Sequence, residues 1–169
     1  EDGVPVTASA AITFDVADAL SSEAVPHYLV FLSPPKCKFK NTQSLGRLRH
    51  LSRHGCVLCS VSGGVFPLAR TKLAVQVPLS VHWCYQAAFE REFPDYLLSN
   101  RIIEISSSFV TASGSAGGFE VALNLIENRL GSNVSTEVAC WFQHPMMRKT
   151  GVTQLTPLPD DSSTKEKLP

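Results

Sequence analysis

Hydrophobic and polar positions along the chain alternate between two periods, and the changes of period mark out the elements. Residues 4–14, "VPVTASAAITF", are β-branched and rich in Ala and Thr, which predicts a hairpin or an edge ribbon. "YLVFLS", residues 28–33, is a continuous apolar run closed by Pro34 and Pro35, the pattern of a strand buried on both faces. In "NTQSLGRLRHLSRHG", Leu45, Leu48 and Leu51 recur three apart, which predicts an amphipathic helix with its arginines outside and Gly55 as its stop. "CVLCSVS", residues 56–62, reads as a second buried strand, and Gly63 and Gly64 open a helix over "VFPLARTKL". "PLSVHW" predicts a third short strand, and "CYQAAFEREFP" a helix closed by Pro94. "RIIEIS" and "SFVTAS" read as two strands around the polar turn 106–108. "GSAGGFEVALNLIENRLG" predicts a long helix with Phe119, Ala122, Leu123, Ile126 and Leu130 in one stripe and Gly131 at its end. Ser132 is expected to cap a last helix, "NVSTEVACWFQH". After Pro145 the chain turns polar, and "PLPDDSSTKEKLP" has the composition of a linker.

Buried strands alternating with helices predict an α/β layered domain with a mainly parallel sheet. A length of 169 residues fits one such domain. Ligands of these sheets bind outside the carboxyl ends of the strands. Three small-residue or polar turns fall at such ends: Ser62-Gly63-Gly64, His82-Trp83, and "ASGSAGG" at 112–118. The first has the outline of a nucleophile elbow, where small residues relieve a strained turn. The match is half complete: Gly64 stands two residues after Ser62, but Ser60 stands where a glycine would precede it. A serine nucleophile needs a base, and His82 is the histidine at a neighbouring strand end. The plainer readings stay open, with Ser62 as a small residue permitting a tight turn and His82 as a hydrogen-bonded strand end. Backbone amides of the helix that follows Gly63 suit an oxyanion or a ligand carboxylate equally.

Composition narrows the classes. The formal net charge is zero, which gives the whole chain no pull toward nucleic acid. Residues 24–89 nevertheless contain no Asp or Glu, while Lys36, Lys38, Lys40, Arg47, Arg49, Arg53, Arg70 and Lys72 fall there. A solvated basic face is the first reading and a nucleic-acid patch the second. Five cysteines, an odd number with at least three in apolar contexts, suggest reduced, buried thiols and a cytoplasmic protein. Cys56 and Cys59 form a C-x-x-C, but inside a strand their side chains point to opposite faces, which argues against a metal or redox role. No signal peptide and no bilayer-length apolar run is visible.

Four stretches carry a family resemblance: "GVFPLARTKL", "SVHWCYQAAFEREFPD", "FVTASGSAGGFEVALNLIENRLG" and "VACWFQHPMMRKTGVTQLTPL". In this order, with His82-Trp83 after a strand and an Arg148-to-Gln154 closing segment, they resemble the amino-terminal domain of GlxA-type transcription regulators of the AraC family. That domain belongs to the PfpI/ThiJ, class I glutamine-amidotransferase-like superfamily. The resemblance implies a three-layer flavodoxin-like sandwich and a homodimer. Superfamily enzymes place a cysteine at the elbow; the matching position here is Ser62, and Cys59 comes too early to replace it. Their acidic partner comes from a strand and helix ahead of the hairpin, so this first β–α unit is expected to be missing. The expected organisation is a sensor and dimerisation domain over 1–150 and a linker over 151–169, leading toward a DNA-binding helix-turn-helix domain absent from these residues.

The function expected on this basis is the sensing of a small-molecule effector, such as an amino acid or amine-like metabolite, without catalysis, cofactor or metal. The ligand site is expected at Ser62, Gly63, Gly64, His82, Trp83, Ser113, Gly114 and Ser115. Trp83 or Tyr85 would face a cationic group, or else belong to the core. DNA would be met only through the absent domain, with no membrane partner. The alternative is a superfamily enzyme, a hydrolase or isonitrile-hydratase-like catalyst, using Ser62 with His82. Leu130, Trp141 and Phe142 are either the contact between protomers or packing against the sheet.

Overall fold

The alternation of periods becomes eight strands and five helices in a computed structural model that describes residues 3–8, 10–144 and 151–157. Strands β1 (Val6–Thr7) and β2 (Thr13–Phe14) form the expected antiparallel ribbon, with Thr7 and Thr13 hydroxyls 3.0 Å apart across it. The main sheet joins β3 (Tyr28–Leu32), β4 (Val57–Val61), β7 (Ile103–Ile105) and β8 (Phe109–Ala112) in the order β3-β4-β8-β7. β3, β4 and β8 run parallel, and β7 returns antiparallel on β8. Strands β5 (Leu79–Ser80) and β6 (Leu98–Ser99) make a separate parallel pair. It is tied to the main sheet where the Ser80 N–H donates to Thr111 Oγ1 at 2.8 Å.

Helices α1 (Thr42–Arg53), α2 (Val65–Arg70) and α3 (Gln86–Glu92) cover one face, and α4 (Ser115–Leu130) the other, with α5 (Ser132–Trp141) packed on α4. The sandwich is therefore the three-layer α/β arrangement expected. The two-residue period of β4 divides its side chains between the layers. Cys56 and Leu58 join Leu51, Phe66, Leu68 and Phe89, whereas Cys59 joins Val110, Ala112 and Val121. Each such buried aliphatic or aromatic side chain contributes about 1.5–3 kcal/mol. The first face holds most of them, with Phe66 and Phe89 edge-to-face at 5.3 Å.

Several local expectations change. β3 is not buried on both faces: it pairs only with β4, stands at the sheet edge, and leaves Val30 43% and Leu32 74% exposed. The buried stripe of α4 is rotated from the expected one. Gly117, Glu120, Val121 and Leu123 are inside, while Ala122 and Leu130 are exposed. Gly117 sets this rotation, since a Cβ there would lie 3.0 Å from the Ala112 Cβ; only a bare backbone sits so close to β8. Gly131, with φ +89°, ends α4 and also precedes α5, so Ser132 lies inside α5 and does not cap it. Two cysteines are buried, Cys56 and Cys59; Cys37, Cys84 and Cys140 are exposed, and all five are free thiols.

The basic stretch is not uniformly solvated. Arg47 donates to the carbonyls of Ser22 and Ala24, both at 2.6 Å. Arg70 holds Glu92 through two parallel bonds of 2.9 and 3.0 Å and also donates to the carbonyls of Pro35 and Cys37. Within the expected linker, residues 151–157 lie against the domain. Thr153 bridges Arg101, the Ile102 N–H donates to Val152 O, and the Gln154 N–H to Asn100 O. Residues 158–169 and Arg148 lie outside the described residues.

Candidate ligand site at the strand ends

The parallel register decides which turns meet. Leu32 pairs with Val61 and Val61 with Ala112, so Ser33, Ser62 and Ser113 leave the sheet side by side. Gly118 brings α4 onto the same edge, its missing Cβ position 3.3 Å from Val61 Cγ1. The His82 ring lies 3.6 Å from the Cβ position of Gly114. The three turns named from the sequence thus share one edge of the sheet, as the carboxyl-end rule requires.

The cleft at this edge joins only two of them among the described residues. A cleft of about 160 Å³ is lined by His82, Trp83, Ile102, Ser113, Gly114, Ala116, Gly117, Gln154 and Leu155. Ser62, Gly63 and Gly64 do not line it, and Ser115 lies exposed beside it. The glycines of the elbow are packed instead against β3 and the loop after it, while Ser62 itself is half-buried. A Cβ on Gly64 would fall 2.0 Å from Phe31 O, and one on Gly63 2.5 Å from Ser33 O and 2.8 Å from Pro35 Cδ. Ser62 keeps the backbone of an elbow, with φ +52° in the left-handed region that a non-glycine residue adopts only under strain. The strain is present without a base: among the described residues no hydrogen bond joins Ser62 to His82. His82 turns its Nδ1 to its own strand end, accepting from the Cys84 N–H at 3.3 Å and lying 3.0 Å from Cys84 Sγ.

The cleft is framed by groups with distinct chemistry. Its floor is the start of α4, where Gly114 is the extended N-cap residue and no side chain caps the first amides. A helix start of this kind carries a partial positive charge and unpaired N–H donors. One wall is Trp83, 40% exposed, with the His82 ring 5.4 Å away and tilted by 36°. Beside it stands Gln154, which composition assigned to the linker. Its Oε1 accepts from the Trp83 N–H at 3.0 Å, and its Nε2 donates to Val81 O at 2.9 Å and to Arg101 O at 3.3 Å. Gln154 therefore fixes the turn that presents His82 and Trp83. Its only sequence signal was its place at the end of the closing segment of the family pattern. Tyr85 packs edge-to-face on Phe66 at 6.1 Å and belongs to the core side of the turn.

Two of the larger cavities contain none of the ligand-site residues named from the sequence. One of about 500 Å³ lies along β3 and α1, walled by Leu20, Leu29, Phe31, Phe39, Leu48 and Leu51. The other, about 550 Å³, opens between Pro78, Gln86, Glu90, Arg101 and Glu104. Among the described residues no cluster of three or more His, Cys, Asp or Glu side chains is placed to hold a metal ion. No helix among them is long and apolar enough to cross a membrane.

No family model matches the chain. It is 25% identical over 155 residues to the HTH-type transcriptional regulator GlxA of Rhizobium meliloti, covering 90% of this chain and 48% of the relative. It is 31% identical over 111 residues to the HTH-type transcriptional regulator GbdR of Pseudomonas aeruginosa, covering 66% of this chain and 30% of that protein. The chain thus spans less than half the length of these curated relatives. In structure it superposes on an AraC family transcriptional regulator from Pseudomonas putida with a TM-score of 0.72 at 17% identity, covering 83% of this chain and 77% of the other. A DJ-1 superfamily protein from Salmonella typhimurium gives 0.73 at 16% identity, covering 86% and 80%. Sequence and fold point the same way: the chain is similar to part of the transcriptional regulators GlxA and GbdR, and its flavodoxin-like α/β fold is the one that the AraC family regulator and the DJ-1 superfamily protein also have.

Proposed function

We propose that this chain is the ligand-sensing and dimerising part of a cytoplasmic transcription regulator, and that it holds a small metabolite in the His82–Trp83–Gly114–Gln154 cleft without transforming it. The observation that carries the reading is the separation of the two turns. The glycines of the elbow that superfamily enzymes use for chemistry are packed against β3 and its loop, while the neighbouring cleft is lined by binding groups and does not include Ser62. The α4 amides suit a carboxylate, and the Trp83 face suits an ammonium or quaternary amine. Pockets for drug-sized ligands run to about 300–1,000 Å³. A cleft of 160 Å³ therefore favours a metabolite of few non-hydrogen atoms, such as an amino acid or a betaine.

Ligand-driven change in the relation of two protomers would be passed to DNA by a domain outside these residues. Leu130, Trp141 and Phe142 are 64%, 80% and 69% exposed, Phe142 with its ring edge-on to Phe119 at 5.2 Å, which supports them as the protomer contact. Trp141→Lys is then expected to turn dimers into monomers in light scattering coupled to gel filtration. The enzyme alternative, with Ser62 activated by His82, is disfavoured because no hydrogen bond joins the two among the described residues, while His82 Nδ1 is engaged by Cys84.

The deciding experiment is calorimetric titration and thermal melting against amino acids, betaines and polyamines. A saturating ligand is expected to raise the melting temperature by about 5–10 °C, and Trp83→Ala to remove the shift. A ligand whose shift survives Trp83→Ala and Gly114→Val, or turnover lost on Ser62→Ala, would overturn the reading.

A further inference from the structure

The exposed cysteines are not equivalent. Cys37, Cys84 and Cys140 all reach solvent, but only the Cys84 Sγ has an imidazole nitrogen beside it among the described residues, His82 Nδ1 at 3.0 Å. The backbone settles which ring nitrogen can accept. The Cys84 N–H can only donate, and it donates to the same Nδ1 at 3.3 Å, so in the neutral ring this nitrogen carries the lone pair. The thiol therefore faces a proton acceptor. This is the arrangement by which cysteine nucleophiles are activated, and the thiolate rather than the thiol is the reactive form. The contact is built into the fold, because His82 caps the turn Trp83–Tyr85 and Gln154 pins Trp83 between them. The two buried thiols lie at the other extreme. Burial pushes Cys56 upward and Cys59 up to about 12, which keeps both as inert thiols.

We propose that Cys84 and His82 form a thiol–imidazole pair that makes Cys84 the reactive cysteine of this chain, a modification site for hydroperoxides beside the cleft. The Sγ proton passes to His82 Nδ1. The thiolate then attacks the terminal oxygen of the hydroperoxide, and an S–O bond forms as the O–O bond breaks. Sulfur is oxidised to the sulfenic acid, and the peroxide is reduced to an alcohol or, from hydrogen peroxide, to water. The leaving oxygen takes the proton back from the imidazolium, so atoms and charge balance and the ring returns neutral. The pair differs from the superfamily elbow in position and element. The sulfur sits after β5, in the turn leading to α3, and not at the end of β4, where Ser62 stands.

The inference stands whether or not the cleft holds a metabolite, since reactivity is read on the chain without ligand. The test is exposure to hydrogen peroxide with dimedone as sulfenic-acid trap, followed by peptide mass spectrometry of all five cysteines. Cys84 is expected to be trapped about tenfold faster than Cys37 and Cys140, and Cys56 and Cys59 to stay unlabelled. That ranking comes from one folded protein and needs no variant. His82→Asn keeps a side-chain oxygen to cap the turn but removes the base. It is expected to bring Cys84 down to the rate of the other two, whose own rates stay unchanged. Equal trapping of the three exposed cysteines in the wild type would overturn the proposal, and so would a Cys84 rate indifferent to His82→Asn in a variant whose circular dichroism matches the wild type.

Discussion

Two turns emerge from one edge of the sheet, and their glycines meet opposite surroundings. At the end of β4, Gly63 and Gly64 have no room for a single added carbon, because the carbonyls of Phe31 and Ser33 occupy it. At the start of α4, Gly114 has only the His82 ring within van der Waals distance, at 3.6 Å. The first turn is a packed joint and the second is the floor of a cleft. The lesson is that a motif can keep its backbone without lining a cleft. Ser62 retains the positive φ of an elbow, yet the glycines after it are packed against β3 and its loop, and the cleft lies one strand along.

The comparison breaks most readily at Gly64. Gly64→Ala forces a carbon into Phe31 backbone, which no side-chain rotation relieves, so the edge strand must separate from β4. The expected loss is about 3 kcal/mol or more, seen as a fall in the urea midpoint; a loss below 1 kcal/mol would mean that the joint is not packed. Arg70 is the next point of attack, since it holds the loop after β3 through Pro35 O and Cys37 O while paired to Glu92. Its side chain is 15% exposed and lies over the Phe66 and Phe93 rings at 5.7 and 5.9 Å. Arg70→Ala is expected to cost roughly 2–3 kcal/mol, and Arg70→Lys less, because an ammonium cannot span the carboxylate and the two carbonyls together. Proteolysis within residues 33–40 should accelerate in both variants, which a purely global loss of stability would not confine to that loop.

The layers, the mainly parallel sheet and the three turns were legible because buried strands and helix starts leave short-range signals. The apolar runs at 28–33 and 56–62, and the glycines that follow the second, specify elements wherever they are packed. What the pattern missed depended on neighbours. The run 28–33 looks like an interior strand, but its burial depends on a partner strand on each side, and β3 has one. The stripe on α4 was displaced because Gly117 contributes no hydrophobicity to a pattern yet decides how the helix lies on Ala112. Gln154 sits in a polar stretch that composition assigns to a linker, and only the fold brings it 2.9 Å from Val81 O. Ser62 was recognisable as a turn, whereas the packing of Ser33 and Pro35 against Gly63 beside it comes from a different strand and leaves no local signal.

Smaller changes sharpen the contrast. Ser62→Gly removes the left-handed penalty and no hydrogen bond, so it is expected to stabilise the chain by up to about 1 kcal/mol and to leave ligand uptake in the cleft unchanged. Loss of uptake in that variant would reconnect the two turns. Gly114→Ala carries the smallest expected effect on folding and the most informative one on the site. Its backbone, with φ −129° and ψ 168°, is open to any residue, and the new methyl makes only an ordinary contact with His82 Cδ2. Stability should therefore stay within about 0.5 kcal/mol of the wild type. The methyl nevertheless occupies the floor of a 160 Å³ cleft, directly before the α4 amides, where the carboxylate of a small metabolite would approach. Titration should find affinity reduced at least tenfold in a protein that melts where the wild type does. An unchanged affinity would place the ligand elsewhere, with the apolar cavity along β3 and α1 next in line, and would leave the open turn as structural as the packed one.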